Sequence, residues 1–453
     1  MPGRAEGHVK TVETRQVRQS AGSIGLIQRA GWGVADQALS SLTNFALSIF
    51  VVRAVSVAEF GAFTIAFASY QVALALCRAI ASEPLLIRYS ASHASLWRRG
   101  TGLSTGAGLL LGVGSGLCFI LAGWTMGGAL RGPLVVLGLT LPGLLLQECW
   151  RYAFLARGKG FSAFINDLVW AVALFPALIA LQGRQPSVTS LMLAWGGAAN
   201  IAALVGVRQA QVVPTPRYVR NWLREQRDLF PKFVGEFGVD AGASQLIASG
   251  LAAIAGLAVL GVFRAGYILF GPIQVLVMGV GWVAVPELVR TLQRPTRRLL
   301  WTSASVSLGL GGAALVWGAM VLMVPTPVGT SLLGPAWTSA HRLSAAVTVA
   351  WVGAGVIAGA AAGLRALAAA RASLAARLVG CTLSVASGLL GGAVNGAIGA
   401  AWGLALAGWI GAVVWWRKFA RVLREREGTV AAEETGAARL VSGPSLVSQE
   451  TSS

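Results

Sequence analysis

Twelve apolar runs, each about the length of a bilayer crossing, constrain this chain more than any motif does. They lie near 31–52, 60–80, 101–123, 133–155, 161–181, 189–207, 233–256, 266–286, 299–323, 341–363, 375–392 and 396–416. The basic residues between them test the parse. On alternate connections, from the N-terminus through 81–100, 151–160, 208–232, 287–298 and 364–377 to the C-terminus, fall 30 of the 36 Lys/Arg. The opposite side carries Arg53, Arg131, Arg184, Arg264 and Arg342, and Arg78 lies inside the second run. Such asymmetry is the positive-inside pattern, and adding or dropping one span in mid-chain would destroy it. It places both termini in the cytoplasm. The first 30 residues hold five Lys/Arg and two Glu with no short apolar segment ahead of a cleavage site, so no signal peptide is expected.

Composition excludes the other broad classes. Only 12% of residues are charged and 55% are hydrophobic, whereas a soluble protein carries about a quarter charged residues. A soluble globule cannot cover itself on that allowance, and a disordered chain would be far less apolar. The formal charge of +19 is spread over cytoplasmic connections, so it reads as topology and anionic-lipid contact, with no nucleic-acid partner. Cys77, Cys118, Cys149 and Cys381 show no metal or redox spacing, and His8, His93 and His341 are scattered. No Gly-rich phosphate loop is present. No catalytic residue, metal or cofactor is therefore expected. Short outer connections whose one acid is Glu59 argue against a membrane glycosyltransferase, and no repeated filter sequence suggests a channel.

The expected fold is all-α and polytopic, with about twelve transmembrane helices in two six-helix lobes of the cytoplasmic membrane. Residues 1–30 form a cytoplasmic N-terminal segment, 31–207 the N-lobe, 208–232 a basic cytoplasmic linker and 233–416 the C-lobe. Residues 417–453, rich in Ala, Glu, Ser, Gly and Thr, read as a largely disordered tail. Faint landmarks recur between the halves. Asp36 and Asp240 stand 204 apart, Phe60-Gly61-Ala62-Phe63 and Leu260-Gly261-Val262-Phe263 stand 200 apart, and Gly132-Pro133 and Gly334-Pro335 stand 202 apart. Glu83-Pro84 ends the second run much as Pro286-Glu287 ends the eighth. A common offset argues for internal duplication, a usual architecture of secondary transporters.

Ionisable groups at bilayer depth are costly and mark functional sites by default. Asp36, Gln37 and Asn44 share a helix face with Gly33, Ser40 and Ser41, either as a cavity wall or as packing glue. Asp240, with Glu236 and Gln245, is the C-lobe counterpart. Arg78 pairs with Glu83 or faces the cavity as an anion ligand. In the fourth run Glu148 and Arg151 have i,i+3 spacing. Asp167, beside Asn166, pairs with Arg157 or Lys159 or caps a helix. Arg53 and Arg264, like Arg342, either snorkel or ring an exit-side anion site.

The stretch from Gln37 through Asn44, Arg53-Ala54 and Glu59-Phe60-Gly61, then Glu83-Pro84-Leu-Leu-Ile-Arg88, Gln147-Glu148-x-x-Arg151-Tyr152 and Leu333-Gly334-Pro335-Ala-Trp337, resembles the polysaccharide-flippase branch of the multidrug/oligosaccharidyl-lipid/polysaccharide exporter superfamily, in a Gly/Ala-rich, actinobacterial style. The resemblance covers about residues 25–420. It implies a carrier that moves an undecaprenyl-pyrophosphate-linked oligosaccharide between leaflets for polysaccharide biosynthesis, beside membrane lipids and the polymerase and glycosyltransferases of the same pathway. Arg78 and Arg151 would then offset the pyrophosphate. Val259-Leu260 replace the Glu-Phe of that signature in the second half. Two other functions stay open: a cation-coupled multidrug or small-molecule antiporter in which Asp36 or Asp240 titrates, and a non-transporting scaffold for envelope glycan synthesis.

Overall fold

A computed structural model describes residues 32, 35–90, 92–182, 184–292 and 296–441. The expected N-terminal segment 1–30 and the tail beyond Val441 lie outside the described residues. The first half is built of α1 (Ala35–Ala54), α2 (Val57–Tyr89), α3 (Ala94–Met126), α4 (Gly128–Ala156), α5 (Gly160–Leu181) and α6 (Val188–Ala210). Each is long and apolar enough to cross a bilayer. Ser56 sets the start of α2 with a capping box, its hydroxyl and the Glu59 side chain serving each other's backbone N–H groups.

A short helix, α7 (Val219–Glu225), follows in the linker. The second half continues with α8 (Phe230–Ala255), α9 (Leu257–Ile268), α10 (Gly271–Thr291), α11 (Thr296–Met323), α12 (Ser344–Ala366) and α13 (Ala370–Val441). Ten helices among the described residues pass the length and hydropathy test, and α9 with the start of α10 adds an eleventh span bent by 62°. The last helix is itself two. Its backbone leaves the helical region at Asn395 and Gly396, the latter at φ 52°, a conformation that favours glycine. The Ser387 hydroxyl donates to the Gly403 carbonyl at 2.8 Å, although a straight helix would hold residues 16 apart at about 24 Å. The chain therefore reverses between 375–392 and 396–416, where the sequence places its last two spans. Beyond 416 the helix runs on to Val441 through Arg, Glu and Ala residues of high helix propensity.

Within the N-lobe, α4 packs between α3 and α6. The N-lobe interior buries Leu47, Phe60, Phe63, Leu137, Trp150 and Trp195 almost completely. The lobes meet chiefly along α2, which lies against α8 and α9. At that crossing the Gly61/Gly261 landmarks face each other's lobe. A Cβ on Gly61 would overlap the Leu257 carbonyl, and one on Gly261 would overlap the Val57 carbonyl. The repeated glycine thus lets two backbones touch at the starts of α2 and α9.

Candidate functional site

The site begins with a proline. Pro84 has no N–H to donate to the Ile80 carbonyl, and α2 widens there into a π turn over Arg78–Ser82, closed by the Glu83 N–H on the Arg78 carbonyl. The carbonyls this leaves over find side-chain donors. The Trp222 indole of α7 donates to Ile80 O at 2.8 Å, and the Ser104 hydroxyl of α3 donates to Ala81 O at 2.9 Å. Single π turns inside helices recur at functional sites. Here the turn sets Arg78, whose side chain keeps 32% of its exposure, against α4.

From α4 come Gln147, Glu148 and Arg151, all buried. Arg78 Nε donates to Glu148 Oε1 at 2.6 Å. Arg151 Nε donates to Asp36 Oδ2 at 2.6 Å, and its Nη2 donates to Gln37 Oε1 at 2.7 Å. Arg151 Nη1 also stands 3.7 Å from Glu148 Oε2. Gln147 Nε2 donates to Asp167 Oδ1 at 2.6 Å. The Tyr152 hydroxyl, one position on, donates to Glu83 at 3.3 Å. Helices α1, α2, α4 and α5 thereby contribute to one connected cluster.

Its charges do not balance. Asp36, Glu148 and Asp167 set three buried carboxylates against the two guanidiniums of Arg78 and Arg151. Among the described residues the three buried acids outnumber the two guanidiniums by one; Glu83, half-buried at the edge, has contacts of its own. Asp36 Oδ1 and Asp167 Oδ2 are also buried with no hydrogen-bond partner among the described residues. An uncompensated buried charge is expensive, and a single proton shared by the cluster removes both the excess charge and one unmet oxygen.

Several expected pairings resolve differently. Arg78 donates to Glu148, 70 positions away, and Glu83 accepts from Tyr152. Asp167 meets Gln147 instead of Arg157 or Lys159; Arg157 stands over the Trp97 ring. Asn166 donates to Ala202 O and to Gln209 Oε1. Asn44 donates back to Ser40 O in its own helix, as a packing residue does. The i,i+3 relation of Glu148 and Arg151 is present. Arg53 is exposed and carries no ion pair among the described residues.

The C-lobe counterpart is different in kind. Asp240 is 58% exposed and pairs with Arg377 at 2.7 Å, so it joins no buried cluster. Gln245 donates to Ser69 of the other lobe at 3.2 Å and to Ser249 at 3.0 Å. The Glu236 side chain lies outside what is described. Arg264, half-buried on α9, has no carboxylate partner among the described residues; its guanidinium stands 5.8 Å from the Phe67 ring of α2. Sequence reasoning missed Trp222, Tyr152 and Arg377 as partners. Pro84 within an apolar run was the one available signal for the Ile80–Trp222 bond.

No family model and no curated protein matches the chain. Solved structures match it in fold. An inward-facing multidrug resistance MATE family transporter of the MOP superfamily aligns over 87% of this chain and 99% of its own, with TM-score 0.69 and 13% identity. The lipid II flippase MurJ in an inward closed conformation aligns over 86% and 89%, with TM-score 0.64 and 12% identity. An outward-facing multidrug resistance MATE family transporter aligns over 88% and 95%, with TM-score 0.50 and 14% identity. The chain has the polytopic fold of MOP-superfamily transporters and is a multi-pass membrane protein. Among the described residues no group of three or more His, Cys, Asp or Glu could hold a metal.

Proposed function

We propose that the chain is a cation-coupled secondary antiporter of the cytoplasmic membrane, with twelve crossings and both termini in the cytoplasm. It exchanges a proton for an amphipathic small molecule by rocking of its two lobes. The observation that supports this reading is the N-lobe cluster, with one more buried carboxylate than it has guanidiniums to neutralise. Proton binding at Asp36 or Asp167 discharges the cluster, and release recharges it. A coupling ion drives a cycle only if its affinity differs between the two lobe arrangements. The open edge of the cluster at Arg78 is where the arrangement of α2 against α8 would make that difference.

The same charge count weighs against Arg78 and Arg151 as pyrophosphate ligands, because Glu148 and Asp36 already neutralise them. One observation nevertheless favours a second reading, the transport of a lipid-pyrophosphate-linked oligosaccharide. Arg264 stands where α9 meets α2, beside the Phe67 ring, with no carboxylate partner among the described residues. Under that reading, polymerase and glycosyltransferases would be the partners.

Reconstitution in proteoliposomes separates the two. With an imposed pH gradient, the parent chain and Arg264→Gln are expected to move a lipophilic cationic dye, and Asp36→Asn is expected to stop it. If the dye stays put while lipid-pyrophosphate-linked sugar reaches the outer face in an Arg264-dependent way, the antiporter reading fails and the flippase reading replaces it.

A further inference from the structure

The linker between the lobes is fastened to the N-lobe, and in being fastened it uses up its acids. Trp222 of α7 is fully buried and hydrogen-bonded to Ile80 O. Asp228 takes both oxygens to Arg88 Nη2 at 2.7 and 2.8 Å, and the Glu225 carboxylate accepts from Arg99 Nη2 at 3.1 Å. The Thr215 N–H donates to Gly102 O at 2.9 Å. Once these bonds are made, Arg98, Arg217, Arg220 and Arg224 remain without an ion pair among the described residues. One of them, Arg98, lines a cleft of about 300 Å³ between the start of α3 and the linker, beside the paired Arg99. Its lining includes Arg98, Thr215, Tyr218 and Asn221, all able to donate hydrogen bonds. It also includes apolar Leu103 and Val213, and Val213 is 71% exposed.

We propose that this cleft binds an anionic glycerophospholipid of the cytoplasmic leaflet. Its phosphodiester takes Arg98 and Asn221, and an acyl chain lies over Leu103 and Val213. The argument is charge complementarity combined with a lining of both kinds. A basic pocket at the cytoplasmic ends of membrane helices is a lipid-headgroup site in chemical terms, and a free inorganic anion would have no use for the apolar residues. The lipid would hold α7 against the N-lobe, and through Trp222 it would brace the π turn that carries Arg78. This inference does not depend on what the protein transports.

The test uses the full chain, purified in detergent and stripped of lipid. It is titrated separately with short-chain phosphatidylglycerol, with phosphatidylcholine of equal chain length and with inorganic phosphate, and adducts are counted by native mass spectrometry. Phosphatidylglycerol is expected to be retained in preference to the other two. Each basic group near a membrane surface contributes a near-constant increment, so R98Q is expected to weaken retention about 5-fold and R98Q/R220Q about 30-fold. R371Q/R417Q removes the same charge from the same side of the other lobe and is expected to change nothing. Arg98 is exposed, so the single variant keeps the result independent of any folding defect in the double one. Equal losses in R98Q/R220Q and R371Q/R417Q would mean a diffuse surface potential and overturn the site. Equal retention of the two lipids, or phosphate competing as well as phosphatidylglycerol, would overturn it too.

Discussion

Arg151 sits where removal of one group changes the charge of the whole cluster. Its side chain keeps 8% of its exposure and its Asp36 partner keeps 0%. Arg151→Met leaves Asp36, Glu148 and Asp167 facing Arg78 alone, an excess of two negative charges in place of one. Breaking a buried pair from one side costs about 3–5 kcal/mol, because the remaining charge is stranded. Asp36→Asn alone has the opposite effect: two carboxylates then meet two guanidiniums, and stability should stay near that of the parent. The informative variant is the double. Asp36→Asn/Arg151→Met carries one excess charge again, so it should regain about 1–3 kcal/mol relative to Arg151→Met, although it lacks more native hydrogen bonds. Equilibrium unfolding in detergent, run at a pH where carboxylates in water are ionised, gives all four values of the cycle. A double variant less stable than Arg151→Met would refute the charge count, and with it the proton-binding role drawn from it.

Other outcomes follow from separate parts of the fold. Asp167→Asn removes the excess charge at the far end of the cluster and is expected to abolish pH-driven transport in proteoliposomes with abundance unchanged. Gly61→Val forces a side chain into the Leu257 carbonyl, so the α2–α9 crossing should open; a cysteine at position 264, in a background without the native cysteines, would then react with an impermeant thiol reagent from outside. Trp222→Phe removes the donor to Ile80 O and is expected to cost about 1 kcal/mol in detergent unfolding. Pro84→Ala supplies a backbone donor to that same carbonyl, so the π turn should close to an α turn, swing Arg78 off Glu148 and lower transport without loss of protein.

Most of the spans and the members of the charged cluster were legible in the sequence, because each is signalled locally; the expected 266–286 span is instead divided between α9 and α10. Apolar run length marks a crossing, and an ionisable residue within one stands out against it. Pairing was not legible. Asp36 and Arg151 are 115 positions apart, and Arg78 and Glu148 are 70 apart. Which arginine meets which acid depends on the depth and rotation of three helices at once, and periodicity fixes neither. The π turn adds to this, because it shifts every residue after Arg78 relative to α-helical phase, and spacing alone does not signal it. Asp240 misled for a related reason. Duplication places it opposite Asp36 in the repeat, but the neighbours that bury Asp36 have no equivalents around it.

That asymmetry bears on how a duplicated fold divides its work. The repeat preserves what both halves need mechanically, namely the glycine crossing in which Gly61 and Gly261 each accept the other lobe's backbone. It does not preserve the chemistry. The N-lobe has an enclosed cluster with more buried acids than guanidiniums among the described residues, while the C-lobe offers an Asp240–Arg377 pair whose acid is exposed and, facing the interface, Arg264 with no carboxylate partner among the described residues. A buried excess charge suits a proton, since a proton needs no space and its binding relieves the imbalance at once. A half-buried arginine beside an aromatic ring suits a bulkier ligand with both polar and apolar parts. Under the antiport reading coupling resides in the N-lobe alone, and under the lipid-pyrophosphate reading the second lobe binds substrate at Arg264. The two places are joined by α2, the helix that carries Arg78 at its π turn and Phe67, under Arg264, some three turns earlier.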